Sequence, residues 1–340
     1  MSCRTETFRL PSTDGCHEIA CYSWIPDSPV RAILQISHGM CEYAQRYDEF
    51  ARFMTDQGIL VCASDHLGHG NTAASKDELG YFGEKDGPEY LVRDLEQLRM
   101  HMRKTYRYTP YILLGHSMGS FIARAYAAHP SDAASRKGDL PNPPPCYGDS
   151  LDGLILSGTA GANSMAGFGI FLCRIFGAVR GGSKRSRLLA KLVGGTFRHR
   201  YPDAKDAPNA WLSKNLENRR MGDQDPLRHF TFTIYGYRDL LTLLRTVSGP
   251  EWAQRIPPSL PVQLIAGKED PVGADGAGPT QVRDLLDDCG LQVLELKLYD
   301  NCRHELFFEP EREIVFSDVL AFINTVIEGK TASMQGGREG

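Results

Sequence analysis

The chain has 340 residues, 41% of them hydrophobic, and a formal net charge of −4; such a length buries a sizeable core in one large α/β domain or two smaller ones. The mild acidity weighs against nucleic-acid binding, which needs a clustered basic surface and a high isoelectric point. Nine scattered cysteines without C-x-x-C spacing give no sign of a zinc knuckle or a thioredoxin-like site, and neither a leader-like start nor the ~18 apolar residues of a membrane span is present, so a reduced, cytoplasmic protein is expected.

From the N-terminus, residues 7–10 and 18–24, split by the turn signal Ser12-Thr13-Asp14-Gly15, predict an antiparallel hairpin. Apolar runs at 31–36, 59–63, 111–114 and 151–156 then alternate with helix-like stretches at 47–57, 90–103 and 121–128. Short buried strands alternating with helices predict a parallel sheet covered on both faces. Residues 131–150, with Pro143-Pro144-Pro145, read as a surface loop. The alternation stops over 160–250 and resumes with strand 262–266, helix 281–288, strand 293–299 and helix 311–328. The expected organisation is a core made of 1–159 and 251–330, an inserted helical cap at 160–250, and a disordered tail at 331–340.

The most informative motif is Gly115-His116-Ser117-Met118-Gly119, placed between a strand pattern and a helix pattern. It reads as a nucleophile elbow. A strained strand-to-helix turn that thrusts out a serine brings backbone segments together two residues either side of it, and Gly115 and Gly119 leave room there. A serine nucleophile needs a base to take its proton and a carboxylate to orient that base, in the chain order serine, acid, histidine. Gly267-Lys268-Glu269-Asp270-Pro271 follows a later strand and offers two carboxylates; Asp270 is favoured because Pro271 fixes the turn after it, with Glu269 as the alternative. Of the ten histidines only His304 lies downstream of both, in the loop before the last helix.

An oxyanion hole needs two backbone donors, one after the nucleophile and one from an earlier strand end. Met118 supplies the first, and Ser37-His38-Gly39-Met40 points to Met40 for the second, with Gly39 allowing close backbone approach. Asp65-His66-Leu67-Gly68-His69-Gly70 lacks a metal-ligand spacing and reads as a loop stiffened by hydrogen bonds beside the elbow. Cys41, next to Met40, reads as a buried inert thiol.

Taken together, these motifs resemble those of the monoacylglycerol lipase and lysophospholipase family of α/β-hydrolases. The resemblance covers most of the chain outside the cap. It implies an α/β-hydrolase fold, a mostly parallel central sheet flanked by helices, with an N-terminal antiparallel hairpin and an inserted helical cap. It also implies Ser117 as nucleophile, Asp270 as acid, His304 as base and the Met40 and Met118 amides as the oxyanion hole. Ser120, where such proteins commonly carry a second glycine, and the Pro-rich 131–150 segment depart from the family pattern.

Substrate selection is expected to lie in the cap. Residues 160–200 contain no Asp or Glu but eight Lys or Arg, interleaved with Phe168, Ile170, Phe171, Ile175, Phe176, Leu188, Leu189 and Leu192. Amphipathic helices of this composition suit an acyl chain and an anionic headgroup met at a membrane surface, against the plainer alternative of a solvated charged face over packed apolar residues. Trp211, Leu212, Phe230, Phe232, Tyr235 and Tyr237 are pocket or core aromatic and aliphatic candidates. The expected function is a serine carboxylester hydrolase acting through an acyl-enzyme on a monoacylglycerol or lysophospholipid, without metal or organic cofactor. The alternatives are a serine aminopeptidase or amidase with the same triad, and a non-catalytic ligand-binding α/β-hydrolase.

Overall fold

Strands buried on both faces of a sheet must be apolar at consecutive positions, and the two faces then divide the run residue by residue. That division is visible along the chain. Ile33, Leu60, Cys62, Tyr111, Leu113, Leu154 and Leu156 enter one hydrophobic cluster, while Leu34, Ile36, Val61, Ala63, Ile112, Leu114 and Ile155 enter the other. The computed structural model describes residues 3–131, 145–194, 197, 200–201, 209–291 and 293–336.

The strands are β1 (Cys3–Pro11), β2 (Glu18–Pro26), β3 (Ala32–Ser37), β4 (Ile59–Ser64), β5 (Tyr111–His116), β6 (Gly153–Ser157), β7 (Val262–Gly267) and β8 (Val293–Tyr299). They form one eight-stranded sheet in the order β1-β2-β4-β3-β5-β6-β7-β8. The β1–β2 hairpin is antiparallel and joins β4 antiparallel; all other pairings are parallel. After β3 the chain first adds β4 on one side and then β5 on the other, so the carboxyl ends of β3 and β5 lie side by side, with Ser37 opposite Gly115. Such a reversal of strand order is where open α/β sheets leave a crevice.

The helices are α1 (Asp48–Asp56), α2 (Gly87–Thr105), α3 (Met118–Ala127), α4 (Ala166–Arg180), α5 (Arg187–Gly194), α6 (Leu216–Gln224), α7 (Ile234–Thr246), α8 (Pro250–Ala253), α9 (Ala277–Asp288) and α10 (Arg312–Gly336). One face of the sheet is covered by α1 and α10, through Phe50, Met54, Phe316 and Val319. The other is covered by α2, α3 and α9, through Leu95, Leu98, Ile122, Tyr126, Val282 and Leu286. Helices α4 to α7 fall between β6 and β7, in the segment expected to be a cap. Yet α7 packs Tyr237, Leu240, Leu243 and Leu244 into the same cluster as α2 and α3. Their spacing makes one apolar stripe facing the core, so the end of this segment shares the main hydrophobic interior.

Both ends of the segment are held by one side chain. Arg124 of α3 donates through Nη1 to the Ala160 carbonyl at 3.0 Å and through Nη2 to the Val247 carbonyl, with its guanidinium 4.4 Å from the Trp252 ring centroid. Burial pushes the guanidinium down to about 9, which leaves it charged at neutral pH.

Two boundaries differ from expectation. The last helix runs on to Gly336, beyond residue 330 where the tail was expected, because nothing between 330 and 336 breaks a helix before the Gly336-Gly337 pair; 337–340 lie outside the described residues. Of the expected 131–150 loop, 132–144 lie outside the described residues and Tyr147–Ser150 forms a single 3-10 turn.

Candidate active site

Ser117 sits in the turn between β5 and α3 with φ 53° and ψ −121°, a conformation that L residues rarely adopt. Its amide is tied down by donation to the Ser157 carbonyl at 2.9 Å. The glycines at either side are required by space. A Cβ on Gly119 would lie 2.0 Å from the Ser37 carbonyl oxygen, and one on Gly115 would lie 2.4 Å from the Gly119 carbonyl oxygen. No larger residue fits without moving the backbone.

The loops after β7 and β8 bring the two partners to this hydroxyl. His304 Nε2 is 2.8 Å from Ser117 Oγ, and His304 Nδ1 is 2.9 Å from Asp270 Oδ2. The other Asp270 oxygen accepts the Val272 amide at 2.9 Å. Asp270 is 0% and His304 3% exposed, so their interaction is little screened by water. Burial disfavours the charged imidazole, but the Asp270 carboxylate and its hydrogen bond outweigh that and raise His304 above its ordinary 6.5. Glu269 turns away and accepts from Lys214 Nζ at 2.6 Å. Gly267 lets the two loops meet: a Cβ there would lie 2.2 Å from the Cys302 carbonyl oxygen.

Two rings flank the imidazole. His116 lies with its centroid 4.9 Å from that of His304, and Trp211 with its centroid 5.4 Å away. Burial pushes His116 down to about 4, so it stays neutral beside a histidine that charges.

On the other side of Ser117 the loop after β3 passes so close that a Cβ on Gly39 would lie 3.1 Å from Ser117 Cβ. Neither the Met40 nor the Met118 amide donates to a protein acceptor among the described residues. Met118 opens α3, where helix N–H groups lack internal partners and the helix dipole is positive. Two unengaged donors therefore flank the serine.

A buried ionic network supports both loops. Glu42 accepts the Gly39 amide at 2.5 Å and Arg46 Nη1 at 2.5 Å; Arg46 also donates to both oxygens of Glu305 at 3.0 Å. Arg228 Nη2 lies 3.4 Å from Glu305, and Asn218 donates to it at 2.7 Å. Burial opposes ionisation of Glu305, but Arg46 and Arg228 hold it well below the usual carboxylate range. Glu305, Arg228 and Trp211 carry no local sequence signal for this role, since their partners are far apart in the chain, and the local pair Glu42 and Arg46 gains it only when Glu305 joins them.

The other residues singled out from sequence take different places. Asp65 accepts the Ala44 and Asn71 amides at 2.8 and 2.7 Å, bracing the loop after β4. Cys41 donates to the Phe230 carbonyl at 3.0 Å, and burial raises its thiol. Phe232 and Tyr237 are core, Phe230 packs on His69, and Tyr235 lies under Arg238. Among the described residues no three His, Cys, Asp or Glu side chains converge as a metal site. A cavity of about 590 Å³ opens elsewhere, between α2, α3 and α7, lined by Glu89, His129, Arg174, Asp239 and Trp252; none of the residues around Ser117 lines it.

Residues 28–311 match the family described as serine aminopeptidase, S33. The chain is 27% identical over 304 residues to a monoacylglycerol lipase of Mycolicibacterium smegmatis, covering 88% of this chain and 90% of that one. It is 37% identical over 119 residues to the human monoglyceride lipase, covering 35% of this chain and 37% of that one. A solved carboxyl esterase of Bacillus coagulans, in complex with glycerol, superposes with a TM-score of 0.85 at 30% identity, covering 95% of this chain and 99% of that one.

Proposed function

Since the chain belongs to the serine aminopeptidase S33 family and is a monoacylglycerol lipase-like ester hydrolase of the α/β-hydrolase fold, we propose that it cleaves single-chain acyl glycerides through an acyl-enzyme on Ser117. The observation that carries this reading is the unbroken hydrogen-bond chain from Ser117 Oγ through His304 to Asp270. Free serine is a poor nucleophile at neutral pH. His304 Nε2 takes the Ser117 proton as Oγ attacks the ester carbonyl, and Asp270 stabilises the imidazolium. The Met40 and Met118 amides donate to the developing oxyanion, each contributing roughly 3 kcal/mol to the transition state. His304 then gives its proton to the departing alcohol, and water reverses the path to release the acid.

The segment 160–250 acts in this reading as a substrate-selecting cap. Phe168, Phe171, Ile175 and Val179 of α4 are 55%, 56%, 45% and 79% exposed, and their spacing sets them on one stripe. Leu188 and Leu192 add exposed apolar area on α5, beside a sequence without acids. An exposed apolar stripe rimmed by cations suits an anionic lipid surface, from which a monoacylglycerol or lysophospholipid is drawn. No helix among the described residues is long and apolar enough to cross a membrane.

An aminopeptidase would need a free carboxylate for the substrate ammonium. Among the described residues, Glu42 and Glu305 of the loops beside the serine are already taken by Arg46 and Arg228, which favours the ester. A chain-length series tests the reading: kcat/KM on monoacylglycerols and lysophospholipids is expected to rise from butyryl to long-chain esters and to exceed that on amino-acyl naphthylamides. An optimum at acetyl, or preference for the amide, would sink it.

A further inference from the structure

Ser120, which departs from the family pattern near the start of α3, is fully buried, and so are Thr159 in the loop after β6 and Arg124 one turn further along α3. Their polar atoms form one chain. Ser120 Oγ lies 2.6 Å from the Ser117 carbonyl oxygen and 2.8 Å from Thr159 Oγ1, and Arg124 Nη1 lies 3.3 Å from Thr159 Oγ1. Only one arrangement of protons satisfies all three contacts. A guanidinium has only donors and a carbonyl only acceptors, while each hydroxyl has a single proton. Arg124 therefore donates to Thr159, Ser120 gives its proton to the Ser117 carbonyl, and the Thr159 proton is left for Ser120 Oγ. Every bond runs the same way, from the cation to the carbonyl.

That carbonyl belongs to the peptide whose N–H is that of Met118. It accepts twice, from the Ser120 hydroxyl and from the Ser120 amide at 2.8 Å, which engages both of its lone pairs. Across a planar trans peptide the N–H points the opposite way from the carbonyl oxygen, so holding the oxygen aims the Met118 N–H. Polarisation adds to aim. Amide resonance moves electron density from nitrogen to oxygen, and each donor on the oxygen favours that shift and makes the N–H a stronger donor. In a buried chain of aligned bonds headed by a charge, the effect accumulates. The glycine common at this position in the family would leave the Ser117 carbonyl with the backbone bond alone, and the Thr159 hydroxyl without an acceptor among the described residues.

We propose that Ser120 is a positioning residue for ester cleavage: it links Arg124, through Thr159, to the Ser117 carbonyl, and so aims the Met118 N–H and strengthens it as a donor to the oxyanion. This rests on the reading of Ser117 as nucleophile and Met118 as oxyanion donor. Negative charge on the substrate oxygen develops only as the ester is attacked, so the chain acts on the transition state more than on the bound ester. Ser120 does this without touching substrate.

Ser120→Ala and Thr159→Val cut the chain at two links with little change of shape. The readouts are kcat, KM, the affinity of an alkyl trifluoromethyl ketone, whose hemiketal oxygen needs the hole, and the Met118 amide proton shift in that complex. Each variant is expected to lose at least roughly threefold in kcat and in ketone affinity together, with KM within about twofold, well short of the loss on removing a donor outright. The Met118 amide proton should move upfield in both. The double variant should lose no more than either single one, because a chain cut once is already cut. Thr159→Ser, which keeps the hydroxyl, should restore most of what Thr159→Val loses. Losses under threefold in both single variants, losses that multiply in the double, or losses that follow Tm with the Met118 proton unmoved would overturn the proposal. Should Ser120→Ala not fold, Ser120→Gly takes its place with the same expectations, since folds of this family commonly carry glycine there. Fluorophosphonate labelling of the parent separates the two readings: an unlabelled Ser117 would remove the nucleophile itself, whereas a labelled one with any overturning outcome removes only the chain.

Discussion

From Ala210 to Asn218 the segment between β6 and β7 is sewn to the loop that carries His304, whereas from Ala166 to Gly194 it lies on the molecule with a bare apolar stripe. In the first stretch Glu305 donates its amide to the Leu212 carbonyl at 2.7 Å, Arg303 Nη1 reaches the Ala210 carbonyl at 2.6 Å, and Glu309 accepts from Ser213 Oγ and the Lys214 amide at 2.7 and 2.8 Å. Trp211 rests against the imidazole as a result. In the second stretch α4 packs Ile170 and Cys173 inward and leaves Phe168, Phe171 and Val179 outside. The difference teaches that one insertion carries two kinds of surface: the sewn part is bonded to the loop that holds His304, and the bare part leaves apolar side chains to solvent.

The largest effect should come from the chemistry that the sewn part surrounds. Ser117→Ala is expected to lower kcat by at least about 10⁴-fold, with Tm within a degree or two of the parent, because the hydroxyl contributes little to packing. Turnover near the parent's would break the assignment. Next, Glu305→Gln removes the charge shared by Arg46 and Arg228. Leaving two buried guanidinium groups without it should cost about 3–5 kcal/mol in urea unfolding, with kcat falling as His304 loosens. A stability change under 1 kcal/mol would mean that the network is not what sews the stretch down.

The bare part should respond in the opposite sense. Phe168→Ser with Phe171→Ser is expected to leave p-nitrophenyl butyrate hydrolysis and stability almost unchanged, within about 0.5 kcal/mol, since both rings face solvent. Binding to anionic vesicles should weaken roughly tenfold or more, given about 1.5–3 kcal/mol for burying one such ring fully. Loss of esterase activity without loss of vesicle binding would erase the distinction between the halves.

The smallest effect is one of pH. In the proposed mechanism His304 must be neutral to accept the serine proton, so kcat/KM should rise with pH through one ionisation lying above 6.5. Stability runs the other way. A histidine with a raised value binds its proton more tightly when folded, so its contribution is present below 6.5 and is lost as pH rises through the raised value. A stability profile that climbs across that window would put the charge elsewhere.

Much of this was legible from sequence where the constraint is local. Residues 59–63 announce a strand because both faces are buried, and Gly115 and Gly119 announce the elbow because no Cβ fits. Asp270 and His304 follow from chain order. What was not legible depends on distant partners. Glu305 is an ordinary acid until Arg46 and Arg228 close on it, and Trp211 is one aromatic among several until the Arg303 and Glu305 contacts set it on the imidazole. Arg185 stands in a basic run that reads as solvated, yet it donates to the Leu79 and Thr231 carbonyls at 2.9 and 3.0 Å. Nothing within a few residues of it carries that information.

Arg124 gives the insertion a property of a different kind. Because one guanidinium holds Ala160 near its start and Val247 near its end, the excursion leaves and rejoins the sheet at a common knot. The strands on either side do not register how far the chain travels in between. For a closed excursion the entropic cost of extra length is only about 0.6 kcal/mol per doubling. A helix could be added to the bare half, or exchanged for another, with the spacing of β6 and β7 left as it is, so the exposed helices are free to be rewritten while the strands that carry Ser117, Asp270 and His304 stay in register.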